Sequence, residues 1–258
     1  MEKSKVENKT AKVKKDRPKG RKGDFKRKTT ETDIKLSLNL DGKGIYDIDT
    51  GVPFFNHMLE QFSKHSRFDM TLKAKGDIDV DLHHLIEDTG IVIGGALKEL
   101  SGDKKGIKRF GFASVPMDEA LVHTVVDFSG RSFFVFKFKD KDMTKPEDDI
   151  SNPFEPGAYL GTKDFVIRPS DFSDANLQKL QFRQAAGEIL IDKFFYVYSN
   201  IFFEALCKNA LINLHINVMY GSNNHHIVEA VFKSAGIAIA DALKVAEGYG
   251  IPSTKGSI

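Results

Sequence analysis

The sequence predicts an α+β fold made by internal duplication, with two β-sheet/two-helix halves packed as one unit. Three observations predict it. Short runs with alternating apolar residues are interleaved with amphipathic stretches of helical period. The pattern His-His-x-x-Glu occurs twice, at His83, His84 and Glu87 and again at His225, His226 and Glu229, about 142 residues apart. Each copy closes the same series of helix, alternating strand, turn and motif-bearing helix.

The elements follow in order. "DIKLSLNL" places Ile34, Leu36, Leu38 and Leu40 on one face of a half-buried strand, and "DGKG" is a turn. "PFFNHMLEQFSKHS" begins with Pro53 at a helix start. "RFDMTLKA" alternates through Phe68, Met70, Leu72 and Ala74 as a second strand. A helix is expected from His83 to Leu100, with Ile86, Ile93, Leu97 and Leu100 on its apolar stripe. "EALVHTVVDF" and "SFFVFKF" read as strands, and a helical stretch ends in "NIFFEALCKNA". "LINLHINVMY" is then a strand, Gly221-Ser222 a turn, and about Asn224 to Ala246 the second motif helix. The halves are expected at about 29–125 and 126–250, with an atypical polar insertion at about 140–185.

Composition narrows the class. A chain of 258 residues with 41% apolar content can build a sizeable core. There is no apolar run near eighteen residues and no apolar N-terminal h-region, so neither a membrane span nor a secretory signal is expected. The single Cys207 cannot form an internal disulfide, which fits a reducing compartment, with the cytoplasm expected and a plastid left open. Residues 1–28 carry thirteen Lys/Arg against four Asp/Glu, a net of +9, so the remainder carries −7 of the overall +2. This basic tail lacks large apolar residues and is expected to be disordered. It also lacks the interleaved aromatics that stack on bases, so it reads as a solvated extension rather than a nucleic-acid contact.

The histidines carry the chemistry. On a helix, residues four apart share a face, so His83 and Glu87 can address one ion, as can His225 and Glu229. Adjacent residues diverge by about 100°, so the two histidines of each motif need different destinations. His57 lies one turn into the helix opened by Pro53, and His215 points away from the Ile212, Leu214, Ile216 and Val218 stripe. Six histidines and two glutamates supply two metal sites of three nitrogens and one carboxylate each, leaving coordination positions open for a substrate. Affinity order alone does not select the metal. Arg109, Arg131, Lys233 and the "PSTKG" residues Ser253, Thr254 and Lys255 form a possible phosphate-binding set, unspecific by spacing alone.

The segments "NHMLEQFSKHS", "KGDIDVDLHHLIEDTGIVIGGAL", "GIKRFGFASVPMDEAL", "DFSGRS", "NLHINVMYGSNNHHIVEAVFKS" and "IPSTKG" together resemble the imidazoleglycerol-phosphate dehydratase family of histidine biosynthesis, over residues 29–140 and about 190–258. The resemblance implies two four-stranded sheets with helix pairs, similar to the second domain of ribosomal protein S5. It implies two Mn²⁺ per subunit at sites shared between subunits, in a homo-oligomer of 24 chains built from trimers. The metal ligands it implies are His57, His83, His84, Glu87, His215, His225, His226 and Glu229, with His57, Glu87 and Glu229 counted among the catalytic groups. Its substrate contacts fall on Glu31, Gln61, His65, Arg109, Arg131, Lys233, Ser253 and Lys255, with Thr254 beside them. The implied reaction converts imidazoleglycerol phosphate to imidazole acetol phosphate with Glu31 as base or proton shuttle. Asn56 and Leu82 stand where the family carries acids, so altered ligand orientation is expected there. The alternative reading is a metal-binding assembly protein that recruits partners through its tail or insertion.

Overall fold

The computed structural model describes residues 20–138, 141–142, 191, 194–245, 250 and 252–254. The first half comprises β1 (Lys22–Lys28), β2 (Thr32–Asn39), β3 (Tyr46–Asp49), α1 (Pro53–Ser66), β4 (Asp69–Gly76) and α2 (His83–Leu100). The second comprises β5 (Phe110–Met117), β6 (Ala120–Asp127), β7 (Phe133–Phe138), β8 (Lys141–Asp142), α3 (Ser199–Ala210), β9 (Asn213–Tyr220) and α4 (Asn224–Ala242). A π-helical turn, Phe194–Tyr198, leads into α3. The sheets run β1-β2-β4-β3 and β5-β6-β9-β7-β8. In each, a hairpin pairs antiparallel with a central strand (β4 or β9), and the next strand lies parallel to that centre. The duplication expected from the motifs is therefore present in the topology.

Two expectations about boundaries need correction. The halves do not meet at 125/126, which falls inside β6; the second begins with β5, the counterpart of β1. The signal was weak because β5, "FGFASVPM", exposes Phe110 and Phe112 and buries only Gly111 and Ala113 strongly, the reverse of a usual strand. The tail is not disordered as far as residue 28, because Lys22–Lys28 pairs with β2 along its full length. An edge strand needs one partner for its backbone and little apolar content, and its lysines suit an exposed edge. Phe25 supplies its contact with the core. Residues 1–19 and most of 140–185 lie outside the described residues. The second sheet has a fifth, two-residue strand beyond the four expected.

The two sheets enclose a double layer of helices, with α2 against α3 and α1 against α4. Equivalent glycines permit this close approach. A Cβ on Gly94 of α2 would lie 2.4 Å from the Leu206 carbonyl of α3, and one on Gly236 of α4 would lie 2.7 Å from the Phe62 carbonyl of α1. The duplicated helices are therefore held by backbone-to-backbone packing at the same repeat position. Aromatic side chains fill the rest: Phe202 stacks on Phe232 at 5.3 Å, and Phe55, Phe62 and Phe194 are fully buried. Each contributes about 1.5–3 kcal/mol on burial. No described helix is long and apolar enough to cross a membrane.

Candidate active site

The site is built on the packed pair α1 and α4. Helix α1 buries Phe55, Met58, Leu59 and Phe62, which leaves His57, Gln61 and His65 away from the core face. The Asn223 side chain caps α4 by accepting from the His225 backbone N–H at 2.9 Å. His225, Glu229 and Lys233 then follow at four-residue spacing along one face. His57 Nε2 lies 3.5 Å from Glu229 Oε2, and His225 Nε2 lies 3.3 Å from the same oxygen. This is the one group of three potential ligands, within 4.8 Å of one another, among the described residues. Bonds of about 2.1 Å meeting at 100–110° put donor atoms about 3.2–3.4 Å apart, so the spacing suits a divalent ion. Lys233 Nζ occupies the other oxygen, Oε1, at 2.6 Å. Burial alone would raise the pKa of Glu229, but Lys233 and His57 hold it below the ordinary carboxylate value.

The remaining ligand-type residues are not gathered by a single chain. His83 Nε2 and Glu87 Oε2 are 3.7 Å apart and half-exposed. His84 turns the other way, with Nδ1 3.1 Å from Asp77 Oδ2 and 3.8 Å from Glu31 Oε2. His226 does the same in the second half, with Nδ1 2.7 Å from Glu119 Oε2. In both halves an acid engages Nδ1 and fixes the ring, while Nε2 of His226 lies 3.7 Å from Asp118 Oδ2. Asp77 raises the pKa of His84, and Glu119 raises that of His226. Glu119 in turn is lowered to about 2, first by His226 and then by the Asn223 backbone N–H. His215 is exposed on the outer face of the second sheet, 6.0 Å from the Phe133 ring. Asp77 and Glu119 were missed in the sequence because each lies in a loop outside the helix that carries its ring, seven residues before His84 and 107 residues before His226.

The cationic set divides. The Arg109 guanidinium donates to Asp127 through Nε at 2.7 Å and Nη2 at 3.2 Å, and to the Pro252 carbonyl through Nη1 at 2.7 Å. It thereby holds the loop carrying Ser253 and Thr254. Lys233 belongs to the Glu229 cluster, where its charge, after partial burial, pushes the pKa of His65 down. The Arg131 backbone sits in a turn closed by the Ser129 hydroxyl, and its side chain joins neither cluster. Lys255 lies outside the described residues.

Residues 50–154 and 171–239 match the family model for imidazoleglycerol-phosphate dehydratase. The chain belongs to the imidazoleglycerol-phosphate dehydratase family. The dehydratase of Pelotomaculum thermopropionicum is 41% identical over 238 residues, covering 92% of this chain and 98% of the relative. That of Thermodesulfovibrio yellowstonii is 43% identical, covering 92% and 100%. The crystal structure of the Staphylococcus aureus dehydratase superposes with a TM-score of 0.56 at 30% identity, covering 87% of this chain and all of the other. The Pyrococcus furiosus dehydratase, in complex with (S)-C348, gives 0.58 at 29% identity, with 90% and 99% covered. The family match is interrupted only at 155–170, inside the segment expected to be an insertion.

The two departures from the family pattern have local explanations. Asn56 does not face a ligand ring; its Oδ1 accepts from the Thr50 hydroxyl at 2.6 Å and the Thr50 N–H at 2.9 Å, anchoring the entry to α1. Leu82 packs against the core at the start of α2, while Asp81 accepts from the His83 N–H at 2.7 Å. The acid in contact with His84 is Asp77, with Oδ2 3.1 Å from Nδ1.

Proposed function

We propose that this chain, a hydro-lyase of histidine biosynthesis by its family, dehydrates D-erythro-imidazole-glycerol phosphate to imidazole acetol phosphate with Mn²⁺ as cofactor. The observation that carries the metal dependence is the convergence of His57, His225 and Glu229. When bound, the ion would supply Lewis acidity toward an imidazole nitrogen of the substrate and so ease loss of the ring N–H proton. The residues of the chain do the rest. Glu31, half-exposed beside His84, takes the proton from the carbon bearing the retained hydroxyl. Acting as a shuttle, Glu31 passes that proton to the hydroxyl next to the ring, which leaves as water; the enol so formed loses its O–H proton and gains one at the carbon next to the ring to become the ketone. Arg109, fixed by Asp127, binds the phosphate together with Ser253 and Thr254, which holds the reacting carbons in place. Lys233 stays on Glu229 and keeps that carboxylate charged.

The reading extends to a second ion and to assembly, and one further feature supports this. His215 sits in a row of the outer sheet face with Phe112, Val125 and Val135, next to the exposed Phe110 and Phe133. The corresponding face of the first sheet carries Lys35, Lys73, Ser37, Thr71 and Asp47 instead. An apolar face with a proposed metal ligand at its centre suits coverage by another copy of the chain and so supports shared sites in a homo-oligomer; the number of 24 chains built from trimers is carried over from the family resemblance. The test is turnover of imidazoleglycerol phosphate with and without added Mn²⁺, alongside metal content and assembly mass. About two ions per chain in a large complex, with Mn²⁺-dependent turnover, is the expected result. A metal-loaded, assembled protein inert toward this substrate refutes the reading.

A further inference from the structure

We propose that Asp88 is a positioning residue for Glu31, tying the tip of the β1–β2 hairpin to the motif helix α2. The inference rests on the assignment of Glu31 as the base. Asp88 is buried, 6% exposed, one residue after the ligand Glu87. Both of its oxygens are engaged, each by a different strand of the hairpin. Oδ2 accepts from the Thr32 hydroxyl at 2.5 Å, and Oδ1 pairs with Arg27 Nε at 2.8 Å. Thr32 is in turn the foot of the tip: the Thr29 N–H donates to the Thr32 carbonyl at 2.9 Å, and the Thr29 hydroxyl accepts from the N–H groups of Glu31 at 3.1 Å and Thr32 at 2.9 Å. Glu31 is thus held by a continuous chain of contacts from α2, and its carboxylate ends 3.8 Å from His84 Nδ1.

The second half provides an internal control. Its hairpin tip also carries an acid, Glu119, which bonds directly to His226 and to the N–H groups of Asn223 and Ser222. That tip anchors itself, and the position equivalent to Asp88 is Ala230. In the first half Asp77 takes the Nδ1 of His84, so the tip acid Glu31 is left free of a ligand-orienting bond. A tip whose acid is kept available needs another anchor, and Asp88 is that anchor. A buried ion pair is not required for stability, and the copy with alanine demonstrates that the motif helix packs without it.

The test uses the Mn²⁺-loaded enzyme with Asp88→Ala, the residue of the other half, and Thr32→Val, which replaces by a methyl the hydroxyl that reaches Asp88 and the Thr29 hydroxyl. Displacing a reacting group by about 1 Å costs about 100-fold, so D88A is expected to lower kcat about 10–100-fold while KM moves less than about threefold. T32V changes kcat in the same direction by a smaller factor. Metal content is unchanged, and amide exchange rises at Glu31 and Thr32 in both variants. In an E31Q background, D88A lowers kcat by less than about threefold further, because residues acting as a unit are non-additive. Wild-type kcat in D88A and T32V, a multiplicative loss in the E31Q background, or loss of bound metal each overturns the proposal. A wild-type enzyme inert toward imidazoleglycerol phosphate instead overturns the assigned reaction, and the proposal with it.

Discussion

The contact between Glu119 and His226 offers a direct probe of how the chain orients the rings proposed to ligate metal. Glu119 Oε2 is 2.7 Å from His226 Nδ1, while Oε1 accepts from the Asn223 N–H at 2.8 Å and more weakly from Ser222 at 3.4 Å. One carboxylate therefore sets both the ring of His226 and the loop that starts α4. Glu119→Ala removes both functions. Loss of an acid behind a ligating histidine lowers metal affinity about 10–100-fold, and that range is expected here for one class of ion only. His226 diverges from His225 on the helix and Asn223 still caps the His225 N–H, so the ion proposed at His57, His225 and Glu229 is expected to lose little affinity. Glu119→Gln has one acceptor oxygen where the carboxylate served three donors, so its loss is intermediate, about 3–10-fold by the same scale. Titration of the metal-free assembly with Mn²⁺, followed by calorimetry or by the spin-resonance signal of the free ion, resolves the two classes. Two unaltered classes in E119A would refute the assignment of Glu119 as the orienting acid.

Other consequences are simpler to measure. Gly94→Ala forces a Cβ to 2.4 Å from the Leu206 carbonyl and is expected to cost about 1–3 kcal/mol, read as a lower Tm, whereas the neighbouring Gly95→Ala meets nothing within 4 Å and is expected to be neutral or stabilising by up to about 1 kcal/mol. The backbone N–H groups of Ile45 and Lys43 hold Asp69 below the ordinary carboxylate pKa. Its stabilising contribution is therefore full above the unfolded value and lost as pH falls through the lower folded value. The Tm advantage of wild type over Asp69→Asn should accordingly be present at neutral pH and vanish on acidification; an advantage that persists in strong acid would contradict this origin. Cys207 is buried and its thiol is pushed up to about 11, chiefly by that burial, so thiol reagents should modify it only under denaturing conditions, as read by mass spectrometry.

Much of this molecule is legible in the chain because periodicity reports burial. The alternation of Ile34, Leu36, Leu38 and Leu40 and of Ile212, Leu214, Ile216 and Val218 gives strands buried on one face, and the two motif helices begin where spacing places them. Strand β1 escapes because its stability comes from backbone pairing with β2 and from the reach of Arg27 to Asp88, neither of which leaves an apolar pattern. Strand β5 escapes for the opposite reason, since its large apolar residues face outward and its inward positions are small enough to admit α4, as at Gly111 against the Ala238 carbonyl.

The proposed ligand inventory and its division into two destinations come from the sequence alone, because the angle between adjacent helical residues does not depend on tertiary context. Only the tertiary structure decided which ligands one chain assembles, because α1 and α4 meet at Gly236 while His83, His84 and His215 face outward from other elements. It also decided which acids stand behind the rings. Asp77 and Glu119 reach them through loops, and a through-space contact made by a loop leaves no period in a sequence.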